Sequence, residues 1–192
     1  MDYKEKFIEI FKTNIKRDGA ENLLNWILKS DFFTAPASTK FHSNEEGGLV
    51  KHSVLVYERF IKKLACEYGE NWQEKYSNET VAIVGLLHDV CKIDYYKVEY
   101  RNVKENGEWV QKPYYTVADS LPYGHGEKSV YILSSFIKLT REEAMAINWH
   151  MGGFDTRVQG GSYSLSDAFS RYPLAVLFHS ADLETTYLDE IC

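Results

Sequence analysis

The sequence predicts an all-α fold, a helical bundle carrying one inserted β-hairpin. Three observations predict it. Apolar residues recur at helical spacing along most of the chain. Asn106-Gly107 separates two runs rich in Tyr, Val and Trp, the pattern of a two-residue hairpin turn. Val81 to Leu87 is apolar on nearly every side, which marks a helix buried in the middle of the domain.

The elements follow in order. Asp2 and Glu5 have the form of a capping box, and Tyr3, Phe7, Ile10, Phe11 and Asn14 or Ile15 define a first helix to about Arg17. Asp18-Gly19 breaks it, and Leu23, Leu24, Ile27 and Leu28 define a second. Thr34 to Gly48 reads as an irregular loop, and a third helix runs from about Leu49 to Tyr68, closed by Gly69. Ser77 or Asn78 caps the apolar fourth helix, which is expected to continue to Cys91. The hairpin arms are Val98 to Glu105 and Glu108 to Val117, with Pro113 signalling an edge or a bulge. Helices are expected over Gly126 to Lys138 and, from a Thr140/Glu143 capping box, to His150. Phe154 to Ser166 reads as a Gly- and Ser-rich loop, and Pro173 opens a last helix through Leu188. Seven or eight helices in one domain over residues 1–192 is the expectation, with helices and a loop in 1–46.

Composition narrows the function. Hydrophobic residues make up 44% and charged residues 26%, a globular balance with no disordered tract. The net charge of −6 lacks the basic surplus of a duplex-DNA binder. Cys66, Cys91 and Cys192 form no CxxC pair and are odd in number, so neither a disulfide framework nor a thiolate zinc site fits them. No apolar stretch is long enough for a bilayer, and Met1 to Lys6 has no apolar leader region, so a cytoplasmic protein is expected.

His88-Asp89 is the sharpest anomaly, because it falls within the most apolar helix. A carboxylate is almost never fully buried unless it is paired. Two pairings are open. Asp89 can meet Lys92 at i+3 while His88 donates to a backbone carbonyl, or a metal ion can neutralise the carboxylate and take the imidazole as ligand. A metal needs ligands from other elements, and His52, His125, His150 and Asp182 stand at element ends or on apolar helices.

The ordered series His52, His88-Asp89, His125, His150, Asp182 resembles the metal-binding pattern of the HD-domain phosphohydrolase superfamily. The flanking runs Gly47-Gly48-Leu49-Val50-Lys51-His52-Ser53, Leu86-Leu87-His88-Asp89-Val90-Cys91-Lys92 and Gly124-His125-Gly126-Glu127-Lys128-Ser129 are similar to the family's motifs. The resemblance spans about Gly47 to Glu190. It implies a metal-site core over 47–190, with His52, His88, Asp89 and Asp182 holding one ion and Asp89, His125 and His150 a second. Many two-metal members carry a His-His pair where this chain has Trp149-His150-Met151. His42 and His179 match nothing in the pattern.

A donor set of nitrogen and carboxylate favours one or two divalent ions of Mn, Fe, Co, Ni, Zn or Mg. The resemblance implies a metal-dependent phosphohydrolase acting on a nucleotide or other small phosphorylated molecule. Asp89 and Lys92 are its catalytic candidates, and Lys92, Tyr96 and Tyr123 its substrate-binding candidates. Tyr95, Tyr114 and Tyr115 belong with the last two as either a stacking lid or hairpin packing. Three rival readings stand beside it: a phosphodiesterase or 3′–5′ exonuclease on single-stranded nucleic acid, a di-iron oxygenase, and a non-catalytic nucleotide-binding module.

Overall fold

The computed structural model describes residues 2–40 and 43–190. His42 and Cys192, which the sequence sets apart from the ligand pattern and from any disulfide, lie outside them. Among the described residues the chain forms nine α-helices and one two-stranded antiparallel hairpin, so the expected helical fold with an inserted hairpin is found.

Tertiary contacts decide where several helices stop. The first, α1 (Tyr3–Asn14), ends before Arg17 because the Glu79 carboxylate captures the backbone N–H groups of Lys16 (2.7 Å) and Arg17 (2.8 Å). Asp2 occupies its N-cap position, but its side chain makes no capping bond; the expected capping box is not formed. The second helix, α2 (Ala20–Lys29), follows Gly19, whose φ of 87° suits only glycine. The third, α3 (Gly48–Tyr68), and the fourth, α4 (Asn78–Leu87), cross closely because Gly85 has no side chain: a Cβ there would lie 3.0 Å from Tyr57 Cα.

Ser77 caps α4 by accepting the Thr80 N–H, and every residue from Val81 to Leu87 is buried. The helix stops at Leu87 and not at Cys91. The backbone turns into a short 3-10 segment, Val90–Lys92, and the Cys91 N–H is taken by Ser129 Oγ at 3.2 Å. His88 and Asp89 therefore sit at a helix end, where the chain can present both side chains to one cleft.

The hairpin strands, β1 (Tyr96–Glu105) and β2 (Glu108–Val117), pair without a bulge from Tyr96 opposite Val117 to Glu105 opposite Glu108. Asn106 (φ 50°) and Gly107 (φ 91°) supply the two positive angles that a type I′ turn requires. Pro113 lies opposite Tyr100 and needs no bulge, since both strands of a two-stranded ladder are edges.

Beyond the hairpin come α5 (His125–Ser134) and α6 (Arg141–Asn148), each shorter than expected; the Thr140/Glu143 capping box of α6 is formed. The stretch 154–166 is not a plain loop. Asp155 caps a short helix, α7 (Thr156–Gln159), by accepting the Arg157 N–H, and Ser164 begins α8 (Ser164–Arg171). These two raise the count to nine. The last helix, α9 (Pro173–Glu184), continues as a π turn over Thr185–Asp189. α3 packs against both α4 and α9, and Phe60, Ile83, Leu86 and Phe178 lie in the one buried core. Among the described residues no helix is long and apolar enough to cross a membrane.

Candidate metal centre

Five elements converge on Asp89. His52 comes from the second turn of α3, and His88 and Asp89 from the end of α4. His125 opens α5, His150 follows α6, and Asp182 lies in the last turn of α9. The approach of α5 to α6 depends on Gly126, where a Cβ would fall 2.3 Å from the Asn148 carbonyl oxygen. His125 and His150 stand side by side as a result, with ring centroids 5.2 Å apart.

Asp89 divides the cluster between its two oxygens. Oδ1 faces His125 Nε2 at 2.8 Å and His150 Nε2 at 3.5 Å. Oδ2 faces His88 Nε2 at 3.5 Å, His52 Nε2 at 3.6 Å and the Lys92 ammonium at 2.7 Å. His52 Nε2 also lies 3.2 Å from Asp182 Oδ1 and 3.3 Å from His88 Nε2. Bond lengths of about 2.0–2.3 Å place neighbouring ligand atoms about 2.8–3.8 Å apart around one ion, and all these ligand separations fall in that range. Three groups can hold a divalent ion: His52, His88 and Asp89; His88, His150 and Asp182; and Asp89, His125 and His150.

The hydrogen bonds on the far side of each ring agree with that donor set. His88 Nδ1 meets the Gly85 carbonyl at 3.0 Å and His150 Nδ1 the Ile147 carbonyl at 2.7 Å. A carbonyl only accepts, so each Nδ1 carries a proton and Nε2 is the nitrogen turned into the cluster, a ligand atom whenever the ring is neutral. Lone pairs and carboxylates crowded in this way repel each other unless protons or a cation intervene. Burial, with help from His150 and His52, pushes His88 down to about 3 against the attraction of Asp89. For His52, burial opposes the charge, but hydrogen bonds to Asp182 and Glu190 prevail and raise it to about 10. Burial also opposes ionisation of Asp89, yet Lys92 and the histidines hold it well below the usual carboxylate range. The Cys91 thiol, 3.5 Å from His125 Nδ1, is pushed up to about 12 by burial and Asp89. It belongs to none of the three ligand groups, whose donors are all nitrogen and oxygen.

Both pairings open to a purely structural doublet are present: His88 donates to a carbonyl and Lys92 meets Asp89. His88 uses its far nitrogen for the carbonyl and keeps Nε2 towards the cluster, whereas Lys92 shares Asp89 Oδ2 with the side that faces His52 and His88. Lys92 reaches Asp89 at i+3 through the 3-10 turn, because the helix expected to continue to Cys91 ends at Leu87.

A cleft of about 730 Å³ opens on the cluster. Tyr95 and Tyr96 line it; the Tyr96 hydroxyl donates to the Ala37 carbonyl at 3.1 Å and ties the hairpin base to the loop before α3. Tyr123 is placed elsewhere. It is half-exposed and stacks on Tyr131, with centroids 5.1 Å apart. Tyr114 bonds Glu99, and Tyr115 packs edge-on to Tyr96. His179, outside the ligand pattern, donates from Nδ1 to the His150 carbonyl at 2.6 Å. Sequence reasoning misses Glu190, whose carboxylate accepts from His52 Nδ1 at 3.0 Å and from Ser43 Oγ at 2.8 Å.

The histidine–aspartate cluster and the helical fold with its single hairpin match the HD-domain signature. The site is a candidate metal-dependent active site whose donors suit phosphohydrolase chemistry. No family model matches the chain, and no match is found among curated proteins or solved structures.

Proposed function

We propose that this protein is a metal-dependent phosphohydrolase that cleaves a phosphate ester or anhydride of a nucleotide or related small phosphorylated molecule. The observation that carries the reading is the split of Asp89 between two groups of histidines, with a buried ammonium on the same carboxylate. In this reading His52, His88, Asp89 and Asp182 hold one divalent ion, and Asp89, His125 and His150 a second. Ions bound there supply Lewis acidity towards a phosphoryl oxygen and lower the pKa of a bound water.

The chain's own groups do the rest. Lys92 stays an ammonium, because Asp89 outweighs the burial that would discharge it. It is therefore available to steady the added negative charge of the transition state. Tyr95, Tyr96, Phe154 and Tyr187 give the cleft aromatic walls for the organic part of the substrate. The volume suits a small ligand. Lys92 is the one Lys or Arg among the described residues lining it, which favours a small substrate over a long polyanion.

The test is a screen of metal-replete protein against nucleotides, cyclic nucleotides and short oligonucleotides. Release of inorganic phosphate from nucleotides is expected. Shortening of oligonucleotides with release of nucleoside monophosphates would replace this reading with the exonuclease. Oxygen consumption with an organic substrate would replace it with the oxygenase, and tight nucleotide binding without turnover with a silent module.

A further inference from the structure

Arg157 stands on α7, inside the stretch that reads as loop, and its guanidinium has no N–H to spare. Nε donates to Asp155 Oδ1 at 2.9 Å. Nη1 donates to Glu127 Oε1 at 2.5 Å and to Asn148 Oδ1 at 3.2 Å. Nη2 donates to the Asn148 carbonyl at 3.1 Å and to Asp155 Oδ2 at 2.6 Å. A guanidinium has five N–H donors, and these five contacts use them all. The group also lies over the Trp149 indole, 4.0 Å from the ring centroid.

Its partners are the flanking residues of two predicted ligands. Glu127 is in the first turn of α5, two residues beyond His125, and its Oε2 accepts the N–H of Gly124 just before that histidine at 3.3 Å. Asn148 and Trp149 lead directly into His150. Asp155, on the other side of His150, donates its own N–H to the Gly152 carbonyl at 3.2 Å. One guanidinium thus joins the start of α5 to the end of α6, and the two histidines that meet Asp89 Oδ1 project from that joint.

We propose that Arg157 is a positioning residue that sets the separation of His125 and His150 and so governs occupancy of the second metal position without touching it. This rests on the metal-site reading given above. A lysine would keep the charge but not the planar fork that reaches three partners at once. The first position, built on His52, His88, Asp89 and Asp182, shares only Asp89 with the second; none of its four ligands bonds Arg157, and it serves as an internal reference.

The test is calorimetric titration of Mn²⁺ into the metal-free protein, comparing wild type with Arg157→Lys, Arg157→Ala and Glu127→Gln, with circular dichroism to establish folding. Two equivalents are expected for wild type. In the Arg157 variants the second should weaken by about 10–100-fold, the usual effect of losing a group that orients a ligand, while the first stays within about twofold. Glu127→Gln should fall between, and Arg157→Lys keeps the test open if Arg157→Ala does not fold. A second equivalent of unchanged affinity in folded variants overturns the proposal. So does equal weakening of both equivalents, which is what mere structural support would produce. One equivalent in wild type overturns it while leaving the metal site standing; none at all removes the functional reading itself.

Discussion

His52 and His88 bring their Nε2 atoms within 3.3 Å of each other, yet their surroundings pull them to opposite protonation states. His52 is raised to about 10 by carboxylates on both of its nitrogens, against burial. His88 is lowered to about 3, mainly by burial. The stability of the metal-free protein must therefore bend with pH. The His52 contribution is fully present below about 6.5, the unfolded value, and is lost as pH rises towards about 10. On the acid side the unfolded chain protonates His88 below about 6.5 while the fold resists until about 3, so stability falls there too. Urea denaturation from pH 4 to pH 10 should show a maximum near neutrality. A stability that climbs steadily from pH 7 to pH 10 would refute the assignment.

The same pair makes metal binding a proton exchange. At pH 7 His88 already offers a lone pair, whereas His52 must give up a proton before it can ligate. Binding of the first ion should release about one proton and strengthen as pH rises from 7 to 9. Calorimetry in two buffers of different ionisation enthalpy measures that number directly. Proton uptake, or affinity independent of pH, would show that His52 is not a ligand.

Much of this was open to reading in the residues, and the parts that were not share a cause. Asn106-Gly107 predicts the hairpin because few residue pairs tolerate two consecutive positive φ angles. His88-Asp89 points to the site because a carboxylate in an apolar helix must be neutralised by something. Helix ends were less legible, since Glu79 and Ser129 lie far in sequence from the backbone N–H groups they capture. Glu190 is invisible for a similar reason. Only the π turn after α9 carries Glu190 back to His52, which lies far from it in sequence. Gly and Ser disguise α7, whose start depends on Asp155 as a cap.

Asp89 and Lys92 separate charge balance from catalysis. Asp89→Ala should lose bound metal and nearly all hydrolytic activity, and it strands a buried ammonium. Removing one partner of a buried pair costs roughly 3–5 kcal/mol, so the variant should also melt early. Lys92→Met is the informative contrast. Metal content should persist, because the ions replace the lost counter-charge on Asp89, while kcat falls by about 10²–10³-fold. Metal analysis beside steady-state kinetics distinguishes the two, and a Lys92→Met variant with wild-type kcat would remove Lys92 from the chemistry.

Arg17 offers a stability control away from the cleft. It meets the fully buried Glu143 through two bonds of 2.8 and 2.9 Å and also bonds the Lys138 carbonyl at 2.8 Å, pinning the end of α1 to α6. Arg17→Met should destabilise by about 3–5 kcal/mol, since Glu143 is left as a buried carboxylate without its cation, held by Thr140 and Thr80. Metal affinity of the folded fraction should not change. Loss of metal at temperatures where the variant remains folded would mean that the N-terminal helices shape the site, contrary to this prediction.

Glu190 gives the last prediction, and the sharpest for a residue that sequence reasoning passes over. Its carboxylate accepts from His52 Nδ1, which fixes the ring's orientation and raises the basicity of the opposite nitrogen. Glu190→Gln keeps the shape and a hydrogen-bonding oxygen but removes the charge. The His52 pKa should fall from its raised value, so less proton is released on metal binding at pH 7, and affinity for the first ion should drop by about 10–100-fold. The Arg157 variants should do the reverse, sparing the first ion and losing the second. Titrating both variants under the same conditions sets the two halves of the centre against each other. If Glu190→Gln weakened only the second ion, the proposed division of ligands about Asp89 would be wrong.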